Sequence, residues 1–215
     1  MSRRVTGFWC FLLALSAVAV NGCGVSTSRK EYYILEVTRQ AAPVATRSDK
    51  TLEIRRFTVG TAFATRNLVY RLGEFQYEPD YYRLFLIAPA QMLTEETRHW
   101  LANSRLFRQI LPPNSQMVPS YSLQAIVAAL YGDFTDKSAP VAVLRMRFFL
   151  TQRKEGDETT VFSQVYRAAT PISDKTGPAL VRALSQDLVE ILTRLEADLA
   201  DFLAGKSSGR PAPRG

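Results

Sequence analysis

Side chains that could carry out catalysis are sparse in this sequence of 215 residues. His99 is the only histidine, and no serine or carboxylate stands near it at a spacing typical of a nucleophile elbow or a catalytic triad. Glu74, Glu78 and Asp80 are close enough in sequence to act as paired carboxylates in acid–base chemistry, but acids in such a turn are usually solvated. We therefore predict no catalytic residue, and we interpret His99 as an ordinary helix residue.

The sequence shows no pattern for a metal ion, a cofactor or a disulfide framework. Its two cysteines, Cys10 and Cys23, both lie near the start of the chain, and a Cys/His zinc site needs about four ligands. The glycine-rich patterns that bind nucleotides and the HExxH pattern of zinc proteases do not occur. We predict that the protein uses neither a metal nor a cofactor.

Cys23 is the residue with the clearest chemical prospect, because it follows an apolar segment at the start of the chain. Arg3 and Arg4 precede the uncharged run of residues 8–20. This run is shorter than the roughly 20 apolar residues that a membrane-spanning helix needs. A positive start and a short apolar run are typical of a secretory signal peptide.

The segment Val20-Asn21-Gly22-Cys23 resembles the lipobox of bacterial lipoproteins, although Asn21 stands where a small residue is usual. The resemblance implies cleavage before Cys23 and acylation of its thiol, with palmitate among the acyl chains. Two or more chains anchor a protein stably in a membrane. Gly24 replaces the aspartate that retains lipoproteins at the inner membrane in enteric bacteria, which favours the outer membrane. The alternative is an ordinary secretory signal with an incidental cysteine.

The positive charge of the chain, formally +7, is spread rather than clustered. Proteins that bind nucleic acids gather their cations in patches, so we predict no nucleic-acid partner. Arg145 and Arg147 have the period-two spacing of one strand face, and Arg167 lies on the strand that we expect to pair with theirs. The three arginines form a candidate basic patch for an acidic partner or lipid head groups. The alternative is an ordinary solvated sheet face.

A second candidate surface is the aromatic segment at residues 67–85. Its aromatic members are Tyr70, Phe75, Tyr77, Tyr81, Tyr82 and Phe85. Tyrosine and arginine are enriched at interfaces, because they combine apolar area with a polar end. From this segment we select Tyr70, Arg71, Tyr77 and Tyr82 as candidate interface residues. A hairpin this aromatic could equally belong to the core, and the sequence leaves both interpretations open.

Hydrophobic periodicity predicts a single domain of the α+β class. Strands are expected at residues 31–38, 52–59, 121–134, 141–153 and 159–171, with two more in the segment 67–85 that turn near Gly73 or Pro79. The turn at residues 154–158 predicts a long hairpin between the last two strands. Pro89 is expected to open a mid-chain helix that ends at Asn103.

The last predicted helix is the most regular element of the sequence. Leucine, isoleucine and phenylalanine recur at steps of three and four between residues 180 and 202, which predicts one apolar stripe. Asp174 or Thr176 is expected to cap this helix. We expect the acidic residues of the helix, Asp187 and Glu196 among them, to lie mostly off the stripe. The predicted architecture is a mixed or antiparallel sheet with the mid-chain helix and this long amphipathic helix packed on it.

The predicted organisation of the chain has four parts. Residues 1–22 form the lipoprotein signal peptide, and residues 23–30 form a lipidated spacer. Residues 31–204 form the folded domain, and residues 205–215 form a disordered basic tail.

An ordered set of short motifs resembles the family of ABC-type transport auxiliary lipoproteins, which includes the paraquat-inducible protein C lipoprotein. The resemblance covers roughly residues 31–203. Its motifs are Tyr32-Tyr33-x-Leu35, Asn67-Leu68-Val69-Tyr70-Arg71, Tyr77 with Tyr82, Pro89-Ala90-x-Met92-Leu93, Tyr121-x-Leu123 and Leu130-Tyr131-Gly132-Asp133-Phe134. Phe85 stands where a tryptophan is usual in this family.

The resemblance implies a non-catalytic lipoprotein of the cell envelope. It would assist a transporter built from an ABC ATPase, a permease and a substrate-binding protein of the mammalian-cell-entry (MCE) type, in a system that moves lipids between membranes. The lipoprotein would dock the periplasmic MCE assembly at the membrane, as a homo-oligomer. Two alternatives stay open: an adaptor lipoprotein of outer-membrane assembly or cell-wall machinery, and an envelope esterase that depends on His99.

Overall fold

The computed structural model describes residues 29–40, 48–154 and 156–206. Cys23, the predicted signal peptide and most of the predicted tail therefore lie outside the described residues. The strands are β1 (Glu31–Tyr33), β2 (Thr51–Ile54), β3 (Thr58–Val59), β4 (Asn67–Arg71), β5 (Tyr77–Phe85), β6 (Gln109–Leu111), β7 (Tyr121–Asp133), β8 (Val141–Lys154) and β9 (Asp157–Ala168). The helices are α1 (Pro89–Ser104) and α2 (Gly177–Leu203), with a short 3-10 turn at Thr61–Phe63.

The long strand β7 organises a single mixed sheet. One of its edges pairs with β8 in antiparallel fashion over almost its whole length. The other edge is shared by β2, β3 and β4, which pair with successive parts of β7 in parallel fashion. Beyond them, β6 pairs with β2, β5 with β4 and β1 with β5, while β9 extends the sheet on the far side of β8. The predicted α+β class with a mixed sheet and two helices is confirmed.

The strand β8 and the helix α2 show how the sequence specifies the core. Ala142, Leu144, Met146, Phe148 and Leu150 alternate along β8, and all five are buried. The helix α2 packs on this face of β8 and β9 with its leucine stripe. Burying one leucine or isoleucine side chain contributes about 1.5–3 kcal/mol, so this contact supplies much of the stability of the domain.

The start of α2 agrees with one of the two predicted caps. The Thr176 hydroxyl accepts a hydrogen bond from the backbone N–H of Ala179 at 3.3 Å, which satisfies one of the unpaired donors of the first turn. Asp174 lies before the cap, and its carboxylate accepts a hydrogen bond from the Thr176 N–H at 3.1 Å.

Several predicted strands are shorter than expected. The first ends at Tyr33, because the backbone of residues 34–40 turns to the helices: the N–H of Leu35 donates to the Met92 sulfur and that of Val37 to the Glu96 carboxylate. The second predicted strand is divided into β2 and β3, since the Phe57 N–H donates to the Thr94 hydroxyl. The strand β6 was not predicted, because three residues are too few for a periodic signal.

Two acidic residues of α2 do not lie where the apolar stripe predicts. Asp187 and Glu196 are 0% and 8% exposed, although we expected the acids of this helix to lie mostly off the buried stripe. The sheet covers one side of the helix, and α1 with residues 34–40 covers another. Residues outside the apolar stripe are therefore buried as well.

None of the helices in the described part of the chain combines the length and apolarity needed to cross a membrane.

Candidate partner-binding surfaces

The face of β7, β8 and β9 that points away from α2 carries the three predicted arginines; we call it the outer sheet face. Arg145 is directly opposite Arg167 in the β8–β9 register. Arg147 is opposite Val165 on one side and Ile126 on the other. Arg145 and Arg147 share this face because the residues that alternate with them along β8, Leu144, Met146 and Phe148, are buried in the core. The predicted period of two therefore places these two arginines on one face.

The outer sheet face is cationic and partly apolar. Like charges directly opposite each other in a sheet are destabilising, and Arg145 and Arg167 form such a pair. Within the described residues, none of the three arginines forms an ion pair with a carboxylate; the Arg147 guanidinium lies 5.9 Å from the Phe149 ring instead. Ile126 and Val165, on either side of Arg147, are 44% and 41% exposed, respectively. An acidic partner would relieve the repulsion and cover the apolar side chains.

The aromatic hairpin of β4 and β5 is divided between the core and the surface. Tyr70 of β4 is in register with Gly132 of β7, and residues in register point to the same face of a sheet. A Cβ atom on Gly132 would lie 3.0 Å from Leu180 of α2. Tyr70 therefore lies on the face of the sheet that α2 covers. Its ring contacts Phe134 at 5.5 Å between centroids, and burial raises the pKa of its hydroxyl. Phe85 is buried. These two residues belong to the core.

The other aromatic residues of the hairpin are accessible. Phe75 in the β4–β5 turn is 89% exposed, and Tyr81 is 66% exposed. Tyr82 is 44% exposed with its ring 5.1 Å from that of Tyr81. Tyr77 is 43% exposed and packs edge-on against Tyr131 at 5.4 Å. The core interpretation therefore applies to Tyr70 and Phe85, and the interface interpretation stays a prediction for the exposed residues.

Arg71 holds the β4–β5 turn. Its guanidinium donates hydrogen bonds to the carbonyl oxygens of Gly73 and Glu74, both at 3.2 Å, and pairs with the Asp133 carboxylate at 3.1 Å. Partial burial alone would raise the pKa of Asp133, but hydrogen bonds from Thr135 and the charge of Arg71 lower it. The side chain that we selected as an interface residue thus also fixes the shape of the turn.

The acidic residues near the hairpin are structural or solvated. Asp80 accepts hydrogen bonds from the backbone N–H groups of Tyr82 and Arg83 at 2.8 and 3.0 Å, and so shapes the irregular part of β5. Glu74 and Glu78 are exposed, and His99 is exposed on α1. In the described ranges, no three His, Cys, Asp or Glu side chains come together as a metal-binding group.

A buried ion pair connects the chain after β1 to both helices. Arg39 donates to both carboxylate oxygens of Glu196, at 2.8 and 2.7 Å, and the indole N–H of Trp100 donates to the same carboxylate at 2.8 Å. This cluster lies beside a surface groove of about 470 Å³ between residues 36–40 and α2. Sequence reasoning missed it, because Arg39 stands in a segment without periodicity, 157 positions from its partner.

Asp187 is a second buried carboxyl group. One of its oxygens accepts a hydrogen bond from the Thr170 hydroxyl at 2.6 Å, and the other has no hydrogen-bond partner among the residues that the structure describes. Burial raises the pKa of this carboxyl to about 7, even though the Thr170 hydrogen bond acts in the opposite direction.

The described fold thus carries exposed cationic and aromatic surfaces. A family model described as the ABC-type transport auxiliary lipoprotein component matches residues 33–196, and the chain therefore belongs to this family. The resemblance stated from the sequence is confirmed. Its members are lipoproteins associated with ABC transport, which places the family at the cell envelope.

Solved structures show the same fold at low sequence identity. A crystal structure of a protein from Xanthomonas campestris is 16% identical, with a TM-score of 0.69 over 82% of this chain and 96% of that one. The crystal structure of an uncharacterised protein is 14% identical, with a TM-score of 0.63 over 80% of this chain and 99% of that one. No curated protein matches the chain.

Proposed function

We propose that this protein is a non-catalytic auxiliary lipoprotein of an MCE-type ABC transport system that moves lipids across the cell envelope. In this role it docks the periplasmic substrate-binding assembly at the outer membrane, as a homo-oligomer. Membership of the auxiliary lipoprotein family supports the association with an ABC transporter. The observation that carries the docking role is the outer sheet face, where three arginines without carboxylate partners in the described residues lie next to exposed apolar side chains.

The proposed anchor is Cys23. Cleavage before this residue leaves a spacer of residues 23–30 between the acylated cysteine and the folded domain, which we place at residues 31–204, ahead of a disordered tail at residues 205–215. Each acyl CH₂ buried in the bilayer contributes about 0.8 kcal/mol. The anchor alone therefore holds the protein at the membrane and leaves the outer sheet face free for a protein partner.

The proposed docking contact combines charge with apolar area, because Arg147 lies between Ile126 and Val165 on the outer sheet face. Arg145, Arg147 and Arg167 would face carboxylates of the MCE protein, while Ile126 and Val165 bury apolar area. A contact of this kind gains specificity and association rate from its charges and weakens as salt screens them.

Reversing the charge of the outer sheet face is expected to abolish docking. In the variant Arg145→Glu/Arg147→Glu/Arg167→Glu, like charges would meet across the contact, which costs several kcal/mol and lowers recovery of the partner by about tenfold or more. Recovery is measured by pulling down the tagged lipoprotein from crosslinked envelopes in mild detergent and quantifying the MCE protein and its permease.

The matched control reverses three exposed cations elsewhere, Arg56, Lys137 and Arg182. It carries the same net charge and should retain the partner. Equal recovery with both triple variants would contradict the assignment of the docking face. Recovery of outer-membrane assembly or cell-wall factors in place of the MCE protein would contradict the transporter role and favour the adaptor alternative.

Replacing Cys23 with alanine is expected to abolish acylation of the protein. Without a thiol there is no acyl chain to bury, and the variant should appear in the soluble periplasmic fraction or remain as an uncleaved precursor. Cys10→Ala, in the predicted signal peptide, is the control and should leave membrane association unchanged. Membrane fractionation with metabolic labelling by a fatty acid measures both, and unchanged labelling of Cys23→Ala would disprove the anchor.

A further inference from the structure

The proposed anchor leads to one particular end of the sheet. The strand β1 is parallel to β5, with Glu31 in register with Arg83. The chain before Glu31 therefore leaves toward the start of β5 and the β4–β5 turn. The ammonium group of Lys30 confirms this direction, because it lies 4.7 Å from the centre of the Tyr81 ring.

Exposed apolar and aromatic side chains cluster at this end of the sheet and along the adjoining part of β5; we call them the aromatic tip. The aromatic tip consists of Leu72, Phe75, Tyr77, Tyr81 and Tyr82, each 39–89% exposed. Phe75 is the most exposed of them. Aromatic side chains with this degree of exposure are found at protein interfaces and in the belts that proteins place at the membrane–water boundary.

The turn that carries Phe75 is held in place. Leu72 donates its N–H to the carbonyl of Gln76 at 2.9 Å, and the Arg71 guanidinium bonds the carbonyls of Gly73 and Glu74 while pairing with Asp133. The turn thus holds Phe75 away from the rest of the domain in one conformation. Less conformational entropy is therefore lost when the Phe75 side chain is buried in a partner or a membrane.

The spacer limits the distance between this end of the sheet and the bilayer. Glu31 follows Cys23 by eight positions, and eight extended residues reach at most about 29 Å. The strand β7, in contrast, is 13 residues long, which corresponds to about 43 Å. With Cys23 fixed in the bilayer, the sheet end toward which the spacer runs can reach the head groups, whereas residues 112–120 lie at the opposite end of β7.

We propose that the aromatic tip rests in the head-group region of the bilayer that holds the anchor. This inference rests on the proposed lipidation of Cys23. Lys30 at Tyr81 and Arg66, whose guanidinium lies 5.5 Å from the Tyr32 ring, would meet lipid phosphates. Glu74 and Glu78 balance these cations, so burial of aromatic area rather than net charge drives the contact. The domain then stands upright, with the outer sheet face perpendicular to the membrane and open to the periplasm.

The orientation is tested by depth-dependent quenching. The full lipoprotein is reconstituted in vesicles of phosphatidylethanolamine and phosphatidylglycerol that contain phosphatidylcholine brominated near the top of its acyl chains. Trp100 is the only tryptophan after residue 22 and is 4% exposed, so it supplies a constant background. Phe75→Trp places a reporter on the aromatic tip, and Val118→Trp, at a residue that is 73% exposed, places the control reporter at the opposite end.

We expect brominated lipid to quench the Phe75→Trp emission at least threefold more than the Val118→Trp emission. Tyr81→Trp is a second reporter on the tip and should behave like Phe75→Trp. Equal quenching at both ends, with the protein still floating with the vesicles, would overturn the orientation and leave the anchor intact. Failure of the unsubstituted protein to float would overturn the anchor and, with it, this inference.

Discussion

Replacing Glu196 with alanine is expected to lower the free energy of unfolding by about 3–5 kcal/mol, because it removes the carboxylate that pairs with the buried Arg39 guanidinium. The side chain of Arg39 is only 4% exposed, and the Trp100 indole N–H would lose its acceptor as well. Urea unfolding, followed by circular dichroism, measures the difference. The variant should unfold in a single transition at a lower urea concentration.

An ion pair on the exposed side of the same helix provides the matched control. Glu190 and Arg194 lie 3.5 Å apart and are about half exposed, so Glu190→Ala should cost less than about 1 kcal/mol. The double variant Arg39→Met/Glu196→Leu removes both buried charges and should recover most of the stability lost in Glu196→Ala. Equal losses in Glu196→Ala and Glu190→Ala would show that the buried ion pair does not hold the segment after β1.

The stability of the domain is expected to fall between about pH 4 and pH 7 because of Asp187. The pKa of this carboxyl is about 7 in the folded protein, against an ordinary value of 3.8. Between these values the folded state binds a proton that the unfolded state has lost, so a rise in pH favours unfolding. A difference of about three pKa units corresponds to a loss of up to about 4 kcal/mol, complete above pH 7.

The variant Asp187→Asn should flatten this pH dependence and raise stability at pH 8. Asparagine has the shape of the neutral carboxyl group and can still accept the hydrogen bond of the Thr170 hydroxyl. Asp201→Asn, at an exposed position of α2, is the control and should change stability by less than about 0.5 kcal/mol. Urea unfolding at a series of pH values provides the measurement. A wild-type curve that rises steadily from pH 4 to pH 7 would refute the role of Asp187.

The elements with a strong period were predictable from the sequence. The alternation along β8 specifies its buried face, and the arginines of the outer sheet face follow from the same alternation. The leucine stripe specifies α2, and Pro89 specifies the start of α1. In each case one neighbouring layer covers one face of the element. The spacing of apolar residues along the sequence is then enough to predict which face is buried.

The features that depend on several layers were not predictable. Asp187 and Glu196 are buried because α2 is covered on two sides, which its own sequence does not reveal. Tyr70 and Phe75 belong to one hairpin, yet one contacts the core and the other is exposed, since Tyr70 is in register with Gly132 of β7 whereas Phe75 lies in the turn beyond the paired strands. The pairing of Arg39 with Glu196 joins segments that only the complete fold brings together.

The shared edge of β7 has a consequence for the order in which the chain folds. Thr51 and Ser120, next to paired parts of β2 and β7, are 69 positions apart, and contacts between such distant segments form slowly. The strands β2, β3 and β4 are made before β7, and their edges that pair with β7 stay unpaired until that strand emerges. The central strand of the sheet is thus absent through more than half of the synthesis of the chain. The same delay leaves β2 and β4 with unpaired edges, which need shielding against aggregation until β7 arrives.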